Sequence, residues 1–131
     1  MIKIKEPKIS IVMPSYNQAQ YIERSILSVI NQNYTNVQLI IIDGGSDDGT
    51  IKVINKYLDY VDYFVSEPDK GQSDALNKGF KIANGDIYGW LNSDDLYLED
   101  VFYSAVRAFQ NNDSKSIVFG DWLSINEKDN I

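Results

Sequence analysis

The sequence predicts an α/β fold: a mostly parallel sheet with helices on both faces. Three observations carry this. Short apolar runs rich in β-branched residues alternate with segments whose apolar residues recur at steps of three or four. One run, Val37 to Ile42, is almost continuously apolar, as an inner parallel strand covered on both faces requires. Each run ends in a polar, turn-forming cluster, so the strands alternate with helices through short connections.

Taken in order, Ile9 to Met13 is the first strand, with Pro14 fixing its exit and Ser15-Tyr16-Asn17 as a turn. Ala19, Ile22, Ile26, Val29 and Ile30 mark the first helix. The second strand, Val37 to Ile42, empties into Asp43-Gly44-Gly45-Ser46-Asp47-Asp48-Gly49-Thr50, whose glycines permit backbone shapes other residues resist. A second helix follows over Ile51 to Leu58 and a third strand over Val61 to Val65. Glu67-Pro68-Asp69-Lys70-Gly71 is a turn-rich loop. The third helix, Gln72 to Ala83, has a small-residue row at Ala75, Gly79 and Ala83, and Asn84-Gly85 supplies a left-handed stop. Ile87 to Leu91 reads as a buried strand ending in Asn92-Ser93-Asp94-Asp95. A fourth helix over Glu99 to Phe109 presents Leu98, Val101, Phe102, Ala105 and Phe109 on one face. Asn111-Asn112-Asp113 turns into a last strand, Ser116 to Phe119, and the pattern fades beyond Ser124.

At 131 residues the chain suits one domain with a real core. The formal net charge of −7 argues against a nucleic-acid partner. With no cysteine and no histidine, thiol nucleophiles, zinc–thiolate sites, Ser-His-Asp triads and histidine bases are all excluded. Acid–base chemistry must come from carboxylates, Lys, Tyr or substrate groups. Met1 to Lys8 is polar, unlike a signal peptide, and no apolar run approaches a membrane span, so a cytoplasmic domain is expected.

In a parallel sheet the carboxyl ends of the strands share one edge, where such folds bind ligands. Four polar clusters therefore converge on one crevice. Asp94 and Asp95 are either a turn that charges the start of the next helix or a site for Mg²⁺ or Mn²⁺, a hard cation that takes oxygen ligands and bridges to phosphates. The company of three other polar loops favours the metal. Asp43 can accept from a base N–H or ribose hydroxyl, or cap the next segment; Asp47 and Asp48 suit the capping job better. Asp69 and Lys70 either reach base and phosphate or form a solvated turn. Tyr16 can stack on a base. Trp90, within a strand, reads as core. Neither a dinucleotide fingerprint nor a P-loop is present, so the glycines alone say little.

Four stretches carry a resemblance: Ser10-Ile-Val-Met-Pro-Ser-Tyr-Asn17, Gln38-Leu-Ile-Ile-Ile-Asp-Gly-Gly-Ser-Asp-Asp-Gly-Thr50, Asp69-Lys-Gly-Gln-Ser-Asp-Ala-Leu-Asn-Lys-Gly79 and Leu91-Asn-Ser-Asp-Asp95. In this order and spacing they resemble family 2 glycosyltransferases of the Rossmann-like GT-A fold, of the bacterial branch that builds surface polysaccharides. The resemblance implies a nucleotide-sugar donor, usually UDP-linked, a saccharide or lipid-linked acceptor, inversion at the anomeric carbon and Mg²⁺ or Mn²⁺. It also leaves peripheral association with the inner face of the plasma membrane and a homodimer open. It implies nucleotide-sugar contacts from Pro14, Ser15, Tyr16, Asn17, Asp43, Gly45, Asp69, Lys70, Gly71, Asn92 and Ser93, and metal ligation by Asp94 and Asp95. The family's DxD-type motif commonly begins with Asp; here Asn92 holds that place, which weakens the site or shifts load to Asp95. The family's general base lies downstream of the last strand. The expectation is therefore an N-terminal donor-binding part of a longer enzyme, with the base beyond Ile131 and Asp121 a poor substitute.

Two rival readings are a non-catalytic nucleotide-binding module and a receiver-like, Mg²⁺-binding phosphoacceptor domain. The latter wants an acidic pair after its first strand and a Lys after its last, where this chain has Pro14-Ser15 and Gly120-Asp121.

Overall fold

Strands and helices alternate as β1 (Ile9–Ser15), α1 (Ile22–Ile30), β2 (Val37–Asp43), α2 (Thr50–Asn55), β3 (Tyr63–Ser66), α3 (Gln72–Ile82), β4 (Ile87–Trp90) and α4 (Val101–Gln110), with a short 3-10 turn at Leu58–Tyr60. The structure is a computed structural model and describes residues 6–111 and 117–131. Its sheet runs in the order β3-β2-β1-β4. All three pairings are parallel.

The period of two along the inner strands builds two cores. Ile9, Ile11 and Met13 of β1 join Leu39 and Ile41 against Ile22 and Ile26 of α1, Ile54 of α2 and Phe102 and Val106 of α4. The alternate residues Val12, Ile40 and Ile42 pack against Ala75 of α3 and Ala83 at its end. The small-residue row of α3 has a steric purpose. A Cβ at Gly79 would stand 2.3 Å from Val12 Cγ1, so this helix sits closer to β1 than a side chain allows.

β1 runs through Pro14 instead of stopping before it. Gly44 N–H donates to Ser15 O on the β2 side, and Leu91 N–H donates to Val12 O on the β4 side. Even-numbered residues of β1 thus face β4, whose pairing ends at Val12–Trp90. Pro14 falls two residues past that end, where its missing N–H has no ladder partner to deprive.

Four further expectations are corrected. Gly85 is not a left-handed stop: α3 ends at Ala83 in an extended conformation (φ −57°, ψ 135°). Gly85 serves close approach instead, since a Cβ there would lie 2.7 Å from Lys8 O. β4 is an edge strand among the described residues, so Tyr88 and Trp90 are 52% and 56% exposed and Trp90 is not core. Tyr88 stacks on Phe80 with centroids 6.1 Å apart. Leu98 is exposed because α4 begins only after Asp100, a non-glycine residue at φ 60°. Ile117 and Phe119 carry no strand pairing and are 79% and 91% exposed, while Asn112, Asp113 and Ser116 lie outside the described residues.

Candidate functional site

A cleft of about 630 Å³ opens at the carboxyl edge of the sheet. The ends of all four strands and the segments after them reach it: Pro14, Ser15 and Tyr16 at β1, Gly44 after β2, Pro68, Asp69 and Gly71 after β3, and Asn92, Ser93 and Asp94 after β4. Parallel pairing is the cause, because it brings Ser15 beside Asp43 and Asp43 beside Ser66. Tyr16 stands 62% exposed at the cleft, a free aromatic face. Ser15 is the opposite case. It is 5% exposed, lines the cleft, and its hydroxyl has no hydrogen-bond partner among the described residues. An orphaned buried hydroxyl at a cleft wall is a group that a ligand can satisfy.

Asp69 arrives over Gly44. A Cβ at Gly44 would lie 3.0 Å from Asp69 Oδ2, so the absence of a side chain there lets the carboxylate sit close without shifting. Gly71 N–H donates to Asp69 Oδ1 at 2.8 Å and holds the turn. On the far side, Asn92 Nδ2 donates to Asp95 Oδ2 at 3.3 Å, and Asp95 N–H donates to Asn92 O at 3.1 Å. These bonds fold the loop back on itself and leave Asp94 lining the cleft, with Asp95 outside its wall. The lining thus holds two carboxylates, Asp69 and Asp94, and no Lys or Arg.

Five of the expected residues do not line the cleft. Asp43 is fully buried. Its Oδ2 accepts from Gly45 N–H (3.1 Å), Ser46 N–H (2.8 Å) and Ser66 Oγ (2.6 Å), and its Oδ1 from Ser46 Oγ (2.5 Å). This carboxylate is spent on shaping the Gly44–Ser46 turn. Gly45 belongs to the same turn, at φ 86°. Asn17 is a clasp between loops: its Oδ1 accepts from Asp47 N–H, and its own N–H donates to Ser46 Oγ. Lys70 donates its backbone N–H to Asp74. Asp95 is the fifth, as described. Asp48 does take the capping role: its Oδ1 accepts from Thr50 N–H, and its Oδ2 from Ala19 N–H. Its local burial favours the neutral acid, but the bonds from Thr50 and Ala19 prevail and hold its carboxyl below the ordinary range.

Sequence reasoning missed Gln18, Gly44, Pro68, Gln72 and Ala75 as lining residues. Gln72 had a readable signal: it is the first residue of a helix that starts at the strand edge.

The model of Glycosyl transferase family 2 matches residues 10–131. An uncharacterized glycosyltransferase of Haemophilus influenzae is 42% identical over 97 residues, covering 72% of this chain and 39% of its own length. Escherichia coli chondroitin synthase is 30% identical over 129 residues, covering 95% of this chain and 18% of that protein. This chain therefore spans well under half the length of these relatives. Among solved structures, the mannosyltransferase PcManGT from Pyrobaculum calidifontis, in complex with GDP-Man and Mn²⁺, matches with a TM-score of 0.73 at 23% identity over 81% of this chain and 33% of its own. S. aureus TarS 1-349 in complex with UDP-GlcNAc matches with a TM-score of 0.73 at 24% identity, covering 79% of this chain and 31% of that one. Both likenesses concern the fold, a Rossmann-like α/β architecture of the GT-A type. With four strand ends meeting in one cleft and the family's model matched from Ser10 to Ile131, the chain belongs to glycosyl transferase family 2.

Proposed function

We propose that this chain is the donor-binding part of an inverting glycosyltransferase. The donor is a nucleotide-diphosphate sugar, UDP-linked, and the acceptor a saccharide or lipid-linked saccharide of cell-surface polysaccharide synthesis. One observation carries this reading: a cleft at the carboxyl edge presents Asp69 and Asp94 with no Lys or Arg in its wall. Such a wall repels a bare diphosphate. It suits a diphosphate that arrives with a divalent cation.

The residues present fit that cation. No group of three or more Asp or Glu among the described residues forms a closed cage. Mg²⁺ and Mn²⁺ sites at nucleotide phosphates need none, since one or two carboxylates, waters and substrate oxygens complete the shell. Asp94 would hold the ion from the cleft wall, with Asp95 behind it. When bound, the ion neutralises charge on the departing diphosphate.

The chain's own residues do the positioning. Tyr16 offers a face for the base. Ser15 supplies its unpartnered hydroxyl to the nucleoside. Asp69, seated over Gly44, accepts from base or ribose. Asp43 acts through the Gly44–Ser46 turn and not by touching the donor. An acceptor hydroxyl attacks the anomeric carbon opposite the leaving diphosphate, and its proton needs a base. Asp69 and Asp94, the carboxylates in the cleft wall, are both occupied with the donor in this reading. No further carboxylate in the cleft wall is left to serve as that base, so in this reading these 131 residues bind donor and transfer no sugar by themselves. No helix among the described residues is long and apolar enough to cross a membrane.

Calorimetric titration with UDP and GDP, with and without Mn²⁺, tests the proposal. Mn²⁺-dependent UDP binding that Asp94→Ala abolishes is the expected result. Binding indifferent to Mn²⁺ or to Asp94→Ala refutes the cation assignment, and sugar transfer by this chain refutes the absence of a spare base from the cleft wall.

A further inference from the structure

We propose that Gln72 is a positioning residue that latches the Asn92–Asp95 loop across the cleft and so sets the place of Asp94. This rests on reading the cleft as a donor site. Gln72 opens α3, and its Nε2 donates to Asn92 Oδ1 at 2.5 Å, joining the β3 side of the cleft to the β4 side. Asn92 Nδ2 donates onward to Asp95 Oδ2 at 3.3 Å. The direction of this relay is dictated at its far end. A carboxylate such as Asp95 accepts, so the Asn92 atom facing it is the amide nitrogen. That leaves the Asn92 oxygen for Gln72, which must present its own amide nitrogen.

The relay accounts for the neutral residue at the head of Asn92-Ser93-Asp94-Asp95. An aspartate at position 92 could accept from Gln72 but could not donate to Asp95. It would also set three carboxylates in one short loop, where like charges repel. Asn92 is thus chosen as a two-way connector, and Gln72 is its fixed end. Both residues line the cleft, whereas Asp95 does not, so the latch draws the loop back while Asp94 stays at the wall. Gln72 is exposed and sits in the first turn of α3, so its replacement spares the core.

The test uses Gln72→Leu, which cannot donate, Asn92→Ala and the double variant, with far-UV circular dichroism to check folding. Partners that orient metal ligands typically alter affinity by about 10–100-fold. Each single variant is expected to weaken Mn²⁺-dependent UDP binding by about 10-fold, and the double variant no further, because both act through one relay. Gln72→Glu adds a pH signature. Its carboxylate cannot donate to Asn92, whereas its protonated form can, so binding by this variant should recover towards pH 4 relative to wild type. Hydrogen exchange of the Asp95 amide in ligand-free protein reads the latch without any ligand, and Gln72→Leu should speed it. Unchanged Asp95 exchange, or additive losses in the double variant, overturns the proposal. If wild type binds no nucleotide yet Gln72→Leu still speeds that exchange, the latch stands and the donor reading falls.

Discussion

Replacing Gly79 by alanine tests the packing that sets the cleft floor. The added methyl would lie 2.3 Å from Val12 Cγ1 and 2.9 Å from Val12 Cγ2. Ordinary carbon contacts are about 3.5–4.0 Å, so the shortfall exceeds about 1 Å. Val12 cannot withdraw. It is fully buried on a strand flanked by β2 and β4. By propensity alone, Gly→Ala inside a helix gains about 1 kcal/mol. Overpacking costs about 1–3 kcal/mol, and a clash this short against a rigid strand belongs near the top of that range. The net expectation is a loss of about 1–2 kcal/mol, or about 4–8 °C in Tm for a domain of this size. Thermal and urea unfolding followed by far-UV circular dichroism measures it. Val12→Ala supplies the control: it removes both Cγ contacts and leaves only the Val12 Cβ, 3.2 Å from the added methyl, so Gly79→Ala should cost clearly less in that background. Because α3 carries Gln72 and Ala75 into the cleft, its retreat should also weaken UDP binding. If Gly79→Ala is as stable as wild type, or destabilises equally with and without Val12, the close-approach argument fails.

Asp43→Ala leaves the Gly45 and Ser46 N–H groups without their acceptor, and two part-buried unsatisfied donors should cost about 1–3 kcal/mol by urea unfolding. Asp43→Asn keeps one oxygen for those donors and should lose less; equal losses would refute the turn-shaping role. Burial pushes the Tyr97 phenol up to about 12. The native state therefore favours its neutral form, and the stability this confers is whole below pH about 10 and drains away as pH rises towards about 12. The loss across that window should be smaller in Tyr97→Phe by about 2 kcal/mol. Tyr34, Tyr57 and Tyr103 shift the same way in both proteins and cancel in the comparison. Identical alkaline profiles for the two proteins would remove Tyr97 from the account.

The elements were legible because their signals are local. The first four strand runs, the four helix runs, the small-residue row of α3 and the capping role of Asp48 each depend on neighbours within a few residues, and these appear in the structure. So did the convergence of four polar loops, which parallel pairing enforces once the alternation is known. The misreadings have another origin. Trp90 was read as core because an apolar run does not reveal whether its strand is central or at an edge. Gly85 was read as a helix stop, whereas its constraint is the backbone of Lys8, far away in sequence. For Asp43 the sequence shows a carboxylate at a strand end but not its partners, one of which, Ser66, lies 23 residues on.

The Asn92-Ser93-Asp94-Asp95 stretch shows the same division. Composition alone excluded histidine and cysteine chemistry, and the four motifs alone pointed to the family. That Asn92 departs from the usual acidic residue was also plain in the sequence. What Asn92 does is a tertiary fact, because its partner Gln72 lies 20 residues earlier on another element and meets it only when β3 and β4 flank the same cleft edge. Local propensity and pattern decide which elements form and in what order. The sheet decides which side chains face each other, since hydrogen bonds between distant residues exist only after the strands have paired.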